Sequence, residues 1–459
     1  MSIVAPIRPF VENPARRRKI LGYRHPSTVS SSPMKRITSI DIARGLVMVI
    51  MALDHTRDFL DSWSRTHQPT DLTVTTPLLF FTRWITHFCA PAFVFLAGTS
   101  AAIQLTRSTD RRTTRRWLLR RGLILILVEF IIMNFGMSFD PKFRFLVFEV
   151  IGTIGAGMIL LSFLSRLSIR WLLPITALIF FGHDLLPFPP PMAMSAPNSS
   201  LTLSILRALA WSPNNFQVTS NLLILVAYPI LPWLGIMLTG FITGRWFERP
   251  VPERKRLFLS AGLIALGLFI VLRFLNAYGD PDPWSVQKDH LFTILSFLNV
   301  TKYPPSLLFS LVTLSGLFLV LAAVEQPVQQ PASNSTAHKQ PTSNPIAQQP
   351  VPQPLLAGQP SNPISRILQV FGRVPLFYFI VHFYLIHLLV VLVAFAQGYD
   401  LTKISFGAFQ FGPPVTAGSL PTWCIYPIWI AVVAVMYPLS RWYGRYKTSH
   451  PEKKFLRYF

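Results

Sequence analysis

The sequence predicts an all-α protein: a polytopic membrane helical bundle of about ten transmembrane helices, with both termini cytoplasmic. Three observations predict it. Hydrophobic residues make up 51% of the chain and charged residues 13%, with 37 Phe, a balance foreign to soluble globules. Ten apolar stretches approach bilayer length. Of the 42 Lys and Arg residues, 31 fall in segments that a ten-span path with an inside N-terminus places in the cytoplasm, as the positive-inside bias requires. The net charge of +23 therefore reads as topological, and the chain has no basic domain that would serve nucleic acid.

Residues 1–35 read as a disordered basic tail (Arg16, Arg17, Arg18 and Lys19, then Ser and Thr) lying against anionic lipid. They hold no apolar core, so the first span is expected to act as its own insertion signal. Span one is expected over about 38–60, followed by a polar loop carrying His67. Span two, about 79–103, offers a small-residue face at Gly98, Ser100, Ala101 and Ala102. Seven arginines between 107 and 121 introduce span three, about 117–138. Gly152, Gly155 and Gly157 thin span four, about 144–165, and span five, about 170–187, runs into prolines. LTLSILRALAW, in the next loop, reads as an interfacial amphipathic helix.

Span six, about 221–245, carries Pro229, Pro232, Gly235, Gly240 and Gly244 and is expected to kink. Span seven covers about 256–276. A loop over 277–305 contains NVTKYPPS and leads to span eight, about 306–324. These eight spans make one transmembrane domain, 36–324. A low-complexity linker of Gln, Pro, Ser and Asn, 325–363, separates it from a second, 364–442, with spans nine (374–396) and ten (423–442). A basic tail, 443–459, ends the chain. Cys89 and Cys424 lie at outer span ends and are expected as two reduced thiols, although their similar depth would allow one bridge.

Chemistry concentrates in Arg36–Asp58, RITSIDIARGLVMVIMALDHTRD, an apolar span that nevertheless keeps Asp41, Arg44, Asp54, His55, Arg57 and Asp58. Charges inside a bilayer are costly, so such a span is a functional-site candidate. At about 100° per residue, Arg44, Met48, Met51, His55 and Asp58 share a face. Arg44 and His55 stand about 16 Å apart along it. At the outer depth Arg83 and His87 join the cluster, and a hairpin of spans one and two would bring His55 and His87 together beside carboxylates. That is equipment for deprotonating a hydroxyl or amine; the blander account is interfacial polar residues bonded to loops and headgroups. Lys302 and Tyr303 would close the cluster from above.

Asp41 and Arg44, three residues apart, either neutralise each other or leave Arg44 to face a cytoplasmic anion. Glu129 and Glu149 are buried carboxylates in need of partners. His382 and His387 project about 140° apart, so at most one faces the first hairpin. The arginines from 107 to 121 suit phosphates geometrically, but a lipid-facing anchor is the stronger account. No metal site is expected, since neither HExxH nor a Cys cluster is present.

RITSIDIARGLVMVIMALDHTRDF, RWITHFCAPAFVFLAGTSAA, the IGTIGAGM run, YPILPWLGIMLTG, NVTKYPPSLLFSLVTLSG and GRVPLFYFIVHFYLIH together resemble the bacterial DUF1624 membrane proteins. That group is similar to the catalytic domain of heparan-alpha-glucosaminide N-acetyltransferase, in the transmembrane acyltransferase superfamily. The resemblance implies an acyl (acetyl) group taken from cytoplasmic acyl-coenzyme A, an extracytoplasmic sugar or lipid-linked glycan as acceptor, and a far-side histidine at the centre of catalysis. In the heparan enzyme that histidine lies in the first loop, ahead of a tryptophan and an asparagine. Here His67 lacks those neighbours, while His55 and His87 fall at an asparagine and an aspartate position. The roles expected are therefore His55 or His87 as general base with Asp54 or Asp58 orienting it. Arg44, Arg111, Arg112, Arg115 and Arg116 would steer the coenzyme A phosphates, and Arg57, Arg83, Lys302, Tyr303 and His382 would bind acceptor. The resemblance implies acyl-coenzyme A as co-substrate with no permanently bound cofactor, and the bilayer of a bacterial inner membrane as the setting; a homodimer is left open. The rivals are a proton-coupled transporter or flippase, and a catalytically inactive membrane protein.

Overall fold

A computed structural model describes residues 36–186, 201–325, 362–400, 402 and 418–458. The expected N-terminal tail, nearly all of the linker and the proline run after span five lie outside the described residues. The fold is mostly helical. Among the described residues, six helical stretches are long and apolar enough to cross a membrane: Pro77–Arg107, Ile230–Glu248, Val251–Leu275, Leu307–Val324, Pro375–Ala396 and Thr422–Ser449.

Helix α1 (Thr38–Leu60) occupies the expected first span and buries most of its residues, charged ones included. Around it pack α2 (Pro77–Thr86), α3 (Cys89–Arg107), α12 (Leu307–Val324), α13 (Pro363–Gly372), α14 (Pro375–Ala396) and α15 (Ile425–Ser449). Glycine decides how closely. A Cβ on Gly45 would lie 1.8 Å from Leu368 O, and one on Gly372 the same distance from Asp41 O, so α1 and α13 meet backbone to backbone. The small face expected on span two is used in the same way: a Cβ on Gly98 or Gly240 would fall 2.0 Å from a carbonyl oxygen of α9 (Ile230–Thr243) or α3.

The second span is broken between α2 and α3. Pro91 has no N–H, and its ring would collide with the His87 carbonyl four residues back; the chain takes a tighter turn there, His87 N donating to Trp84 O. The third span runs from α4 (Arg111–Leu127) through a π-turn at Val128–Met133 into α5 (Asn134–Ser138). Asp110 caps α4 by accepting from Arg112 N and Thr113 N.

Spans four and six differ from expectation at their starts, and the all-α reading is corrected there. Phe145–Phe148 (β1), Asn214–Thr219 (β2) and Leu222–Val226 (β3) form a small sheet ordered β1-β3-β2, parallel between β1 and β3 and antiparallel between β3 and β2. The helices begin later, at Val150 (α6, to Leu164) and Ile230 (α9). FLVF and LLILV are short apolar runs that suit a buried strand as well as a helix, and periodicity cannot separate the two. Pro229 precedes α9 rather than kinking it. Leu201–Ala210 is helical as expected (α8), after α7 (Ile169–Gly182). Val251–Leu275 (α10) turns Leu263, Ile264, Val271 and Leu275 outward, a face suited to lipid. The loop after it contains an unexpected helix, α11 (His290–Leu298).

Candidate functional site

The last turns of α1 hold a dense ionic cluster. The Asp54 carboxylate accepts from Arg57 Nη2 at 2.6 Å, from Arg83 Nη1 at 2.9 Å on each oxygen, and from Thr86 Oγ1 at 2.8 Å. Arg57 Nη2 also reaches Asp58 Oδ1 at 2.5 Å. Two carboxylates thus face two guanidiniums, which offsets the cost of burying Asp54, Arg57 and Arg83, while Asp58 stays partly exposed. Arg57 is 1% exposed, and its Nε and Nη1 have no hydrogen-bond partner among the described residues. Three of these donors converge on Asp54 Oδ1, and no hydrogen bond joins Asp54 to either histidine among the described residues.

Beside the cluster opens a cavity of about 360 Å³. Asp54, His55 and Asp58 line it from α1, Arg83 from α2, Glu149 and Tyr228 from the two ends of the α6 and β3 region, and Lys302 and Tyr303 from the loop before α12. Ser64, Arg65 and Gln68 line it from the first loop. The expectation that Lys302 and Tyr303 join this group matches their placement. Lys302 Nζ lies 4.9 Å from the Tyr303 ring and has no carboxylate partner among the described residues.

The segment that delivers Lys302 is firmly held. Arg273, at the end of α10, donates to four main-chain carbonyls: Phe297 at 3.0 Å, Asp282 at 2.8 Å, Ser296 at 3.0 Å and Asn299 at 2.6 Å. Asp280 accepts from Thr301 N at 2.9 Å, Thr301 Oγ1 at 3.0 Å and Ser306 Oγ at 2.6 Å. Burial pushes the Asp280 carboxyl above the usual range, against the pull of those hydrogen bonds and of Arg273.

The histidines separate. His55 Nδ1 lies 2.7 Å from His382 Nε2, on α14. His55 is flanked by Phe379 and Phe383 of the same helix, with ring centroids at 6.0 and 4.2 Å. His387 points elsewhere, its Nδ1 donating to Gly136 O at 2.8 Å and its ring stacked on Phe139 at 3.8 Å. The expected His55–His87 pair is not formed. His87 is buried at the α2–α3 break, 5.6 Å from the Phe309 ring, and no hydrogen bond or ring contact joins it to His55 among the described residues. His67 stacks on Trp63 at 4.8 Å in the exposed first loop.

At the other end of α1, Arg44 donates to Gly372 O at 3.1 Å and Ser100 Oγ at 3.2 Å and sits 3.5 Å from Asp41. Arg121 is within electrostatic reach of Arg44 and donates to Tyr458 O at 2.9 Å. Arg111, Arg112 and Arg116 are exposed along α4, and Arg115 turns to Ser165 at 3.3 Å. Glu129 found its partner in backbone rather than in a cation: it accepts from Glu149 N at 2.9 Å and Gly152 N at 3.2 Å, at the start of α6. Both cysteines are free; Cys89 lines the cavity.

Sequence reasoning missed His382 as the neighbour of His55, along with the cavity positions of Tyr228 and Phe383. The divergence of His382 and His387 was visible from spacing, but which of them meets α1 depends on how distant helices pack. A family model described as heparan-alpha-glucosaminide N-acetyltransferase, catalytic, matches residues 36–274. That stretch runs from α1 through most of α10 and stops before Lys302 and His382. No curated protein matches the chain. Matched over more than half of its 459 residues, the chain is a multi-pass membrane protein that belongs to the heparan-alpha-glucosaminide N-acetyltransferase catalytic family.

Proposed function

We propose that the protein is an acyltransferase of the bacterial inner membrane that moves an acyl group, such as acetyl, from cytoplasmic acyl-coenzyme A to an extracytoplasmic sugar or lipid-linked glycan. The observation that carries this is the cavity of about 360 Å³ at one end of α1, in which a histidine, a lysine and a tyrosine meet an ion-paired cluster. In this reading α1, α2–α3, α4–α5, α6, α7, α9, α10, α12, α14 and α15 are the ten crossings, with both termini cytoplasmic. Arg44 is then at the cytoplasmic end of α1 and His55 about 16 Å toward the outside.

The chemistry follows from placement. The coenzyme A phosphates sit near Arg44 and Arg121, whose guanidiniums suit phosphate, and the arm carries the thioester toward the cavity. His55 takes the proton of the acceptor hydroxyl or amine as its oxygen or nitrogen attacks the thioester carbonyl. Lys302 and Tyr303 stabilise the negative charge that develops on the carbonyl oxygen. The C–S bond breaks, and the leaving thiolate takes the proton from His55. Holding both substrates in one cavity supplies much of the rate. The ionic cluster of Asp54, Asp58, Arg57 and Arg83 keeps the cavity's polar wall in place and offers Asp58 and Arg83 to the acceptor.

Calorimetry with acetyl-coenzyme A on detergent-purified protein, beside Arg44→Ala, tests this. Micromolar binding that the variant loses is the expected result. No binding by folded protein across several acyl lengths would overturn the reading in favour of transport.

A further inference from the structure

We propose that His382 is the positioning residue that fixes the proton on His55 so that His55 Nε2 presents a lone pair to the cavity. This rests on the acyltransferase reading for its catalytic meaning but not for its geometry. His382 Nδ1 lies 2.8 Å from Tyr378 O. A carbonyl oxygen only accepts, so Nδ1 of His382 carries a hydrogen. The neutral ring then has its lone pair on Nε2, which lies 2.7 Å from His55 Nδ1. His55 Nδ1 must therefore be the N–H, and the remaining nitrogen of His55, Nε2, is left unprotonated.

That outcome runs against the ring's own preference. A free neutral imidazole side chain favours the opposite tautomer, with hydrogen on Nε2, which would offer a substrate hydroxyl a donor where a base is needed. The relay Tyr378 O, His382, His55 reverses the preference with no charge of its own. His382 is 0% exposed, so water does not compete for its Nε2. Phe379 and Phe383 hold the His55 ring between them and line the cavity beside it, so the ring is not free to turn and present its other nitrogen. One helix, α14, thus supplies both the hydrogen-bond acceptor and the walls. Among the described residues no hydrogen bond joins Asp54, Asp58 or Glu149 to His55, and Asp54 is engaged by Arg57, Arg83 and Thr86 instead.

The test is nitrogen NMR on protein labelled with 15N-histidine, with the His55 signals assigned by their loss in His55→Gln. The expected result is protonated Nδ1 and unprotonated Nε2 on His55 in the native protein, reverting to protonated Nε2 in His382→Leu. Gln in place of His382 keeps an acceptor at the position of Nε2, so His382→Gln should retain the native tautomer. Protonated Nε2 in the native protein overturns the proposal, as does an unchanged tautomer in His382→Leu.

Slow hydrolysis of acetyl-coenzyme A, with water taking the acetyl group to give acetate and free coenzyme A thiol, adds a functional arm. Losing tautomer control in a charged triad costs about 10⁴-fold. With a neutral orienter the expected fall in kcat for His382→Leu is about 10²-fold, with KM little changed. His382→Gln should stay within about tenfold of native. Equal losses in both variants would overturn the positioning role. If native protein neither binds nor hydrolyses acetyl-coenzyme A, the acyltransferase reading fails while the NMR result still decides the tautomer.

Discussion

The two ends of α1 carry similar charges and put them to different uses. At the Arg44 end, the guanidinium is bound by Ser100 and by the Gly372 carbonyl, where α1 and α13 touch through glycine. At the His55 end, the helix instead borders a cavity of about 360 Å³. The two ends therefore suit different tasks: the Arg44 guanidinium is packed and already held by protein groups, whereas the His55 end has room beside it for a reacting group. What distinguishes the second end is open volume lined by groups with capacity to spare, His55 and Lys302.

This contrast can be broken hardest at the closed end. Gly372→Leu would force side-chain atoms into the Asp41 carbonyl, beyond the few tenths of an ångström that repacking absorbs. The expected outcome is loss of the folded protein, read as loss of a monodisperse peak on size exclusion. At the open end the opposite holds. His55→Gln should leave the thermal transition close to native while thiol release from acetyl-coenzyme A falls by about 10³-fold. A variant that unfolds, or that keeps its rate, would erase the distinction between the ends.

Lys302→Met sharpens the comparison further. It should lower the same rate by about 10²-fold, with acetyl-coenzyme A binding by calorimetry unchanged, because Lys302 acts where charge develops and not on the phosphates. The smallest effect is expected away from both ends, in the turn between α5 and β1. Burial opposes ionisation of Asp140, yet hydrogen bonds from Arg144 and the Lys142 and Arg144 amides hold its carboxyl below the usual range. Because the folded value is lowered, the stabilisation is complete above about pH 4 and fades as pH falls through the folded value. Asp140→Asn should lower Tm by about 2 °C at neutral pH, with the gap to native closing under acid.

How much was legible in the sequence follows the same division. The limits of α1, α12 and α14 were readable because long apolar runs end at charges, prolines or a polar loop. Gly98 announced its contact as a small residue on an apolar face, and Lys302 announced itself as a cation beside a span end. The strands at 145–148 and 222–226 were not legible, since four or five apolar residues carry too little periodicity. Nor was the His55–His382 pair: 327 positions separate the residues, and helical spacing says which way a side chain points on its own helix, not which helix it meets. For the same reason Asp54 was expected to orient a histidine, when the packing of α2 brought Arg83 and Thr86 to it first.

Helix α13 has one more consequence. Its glycine contact with α1 and the His55–His382 contact just beyond it are noncovalent, and they unite parts of the chain that in sequence are joined only across 326–361. The proposed site is thus shared between two polypeptide segments held to each other by noncovalent contacts. Cleaved between Glu325 and Asn362, the pieces should co-purify and keep His382 against His55. The two pieces should then complement each other when made as separate chains.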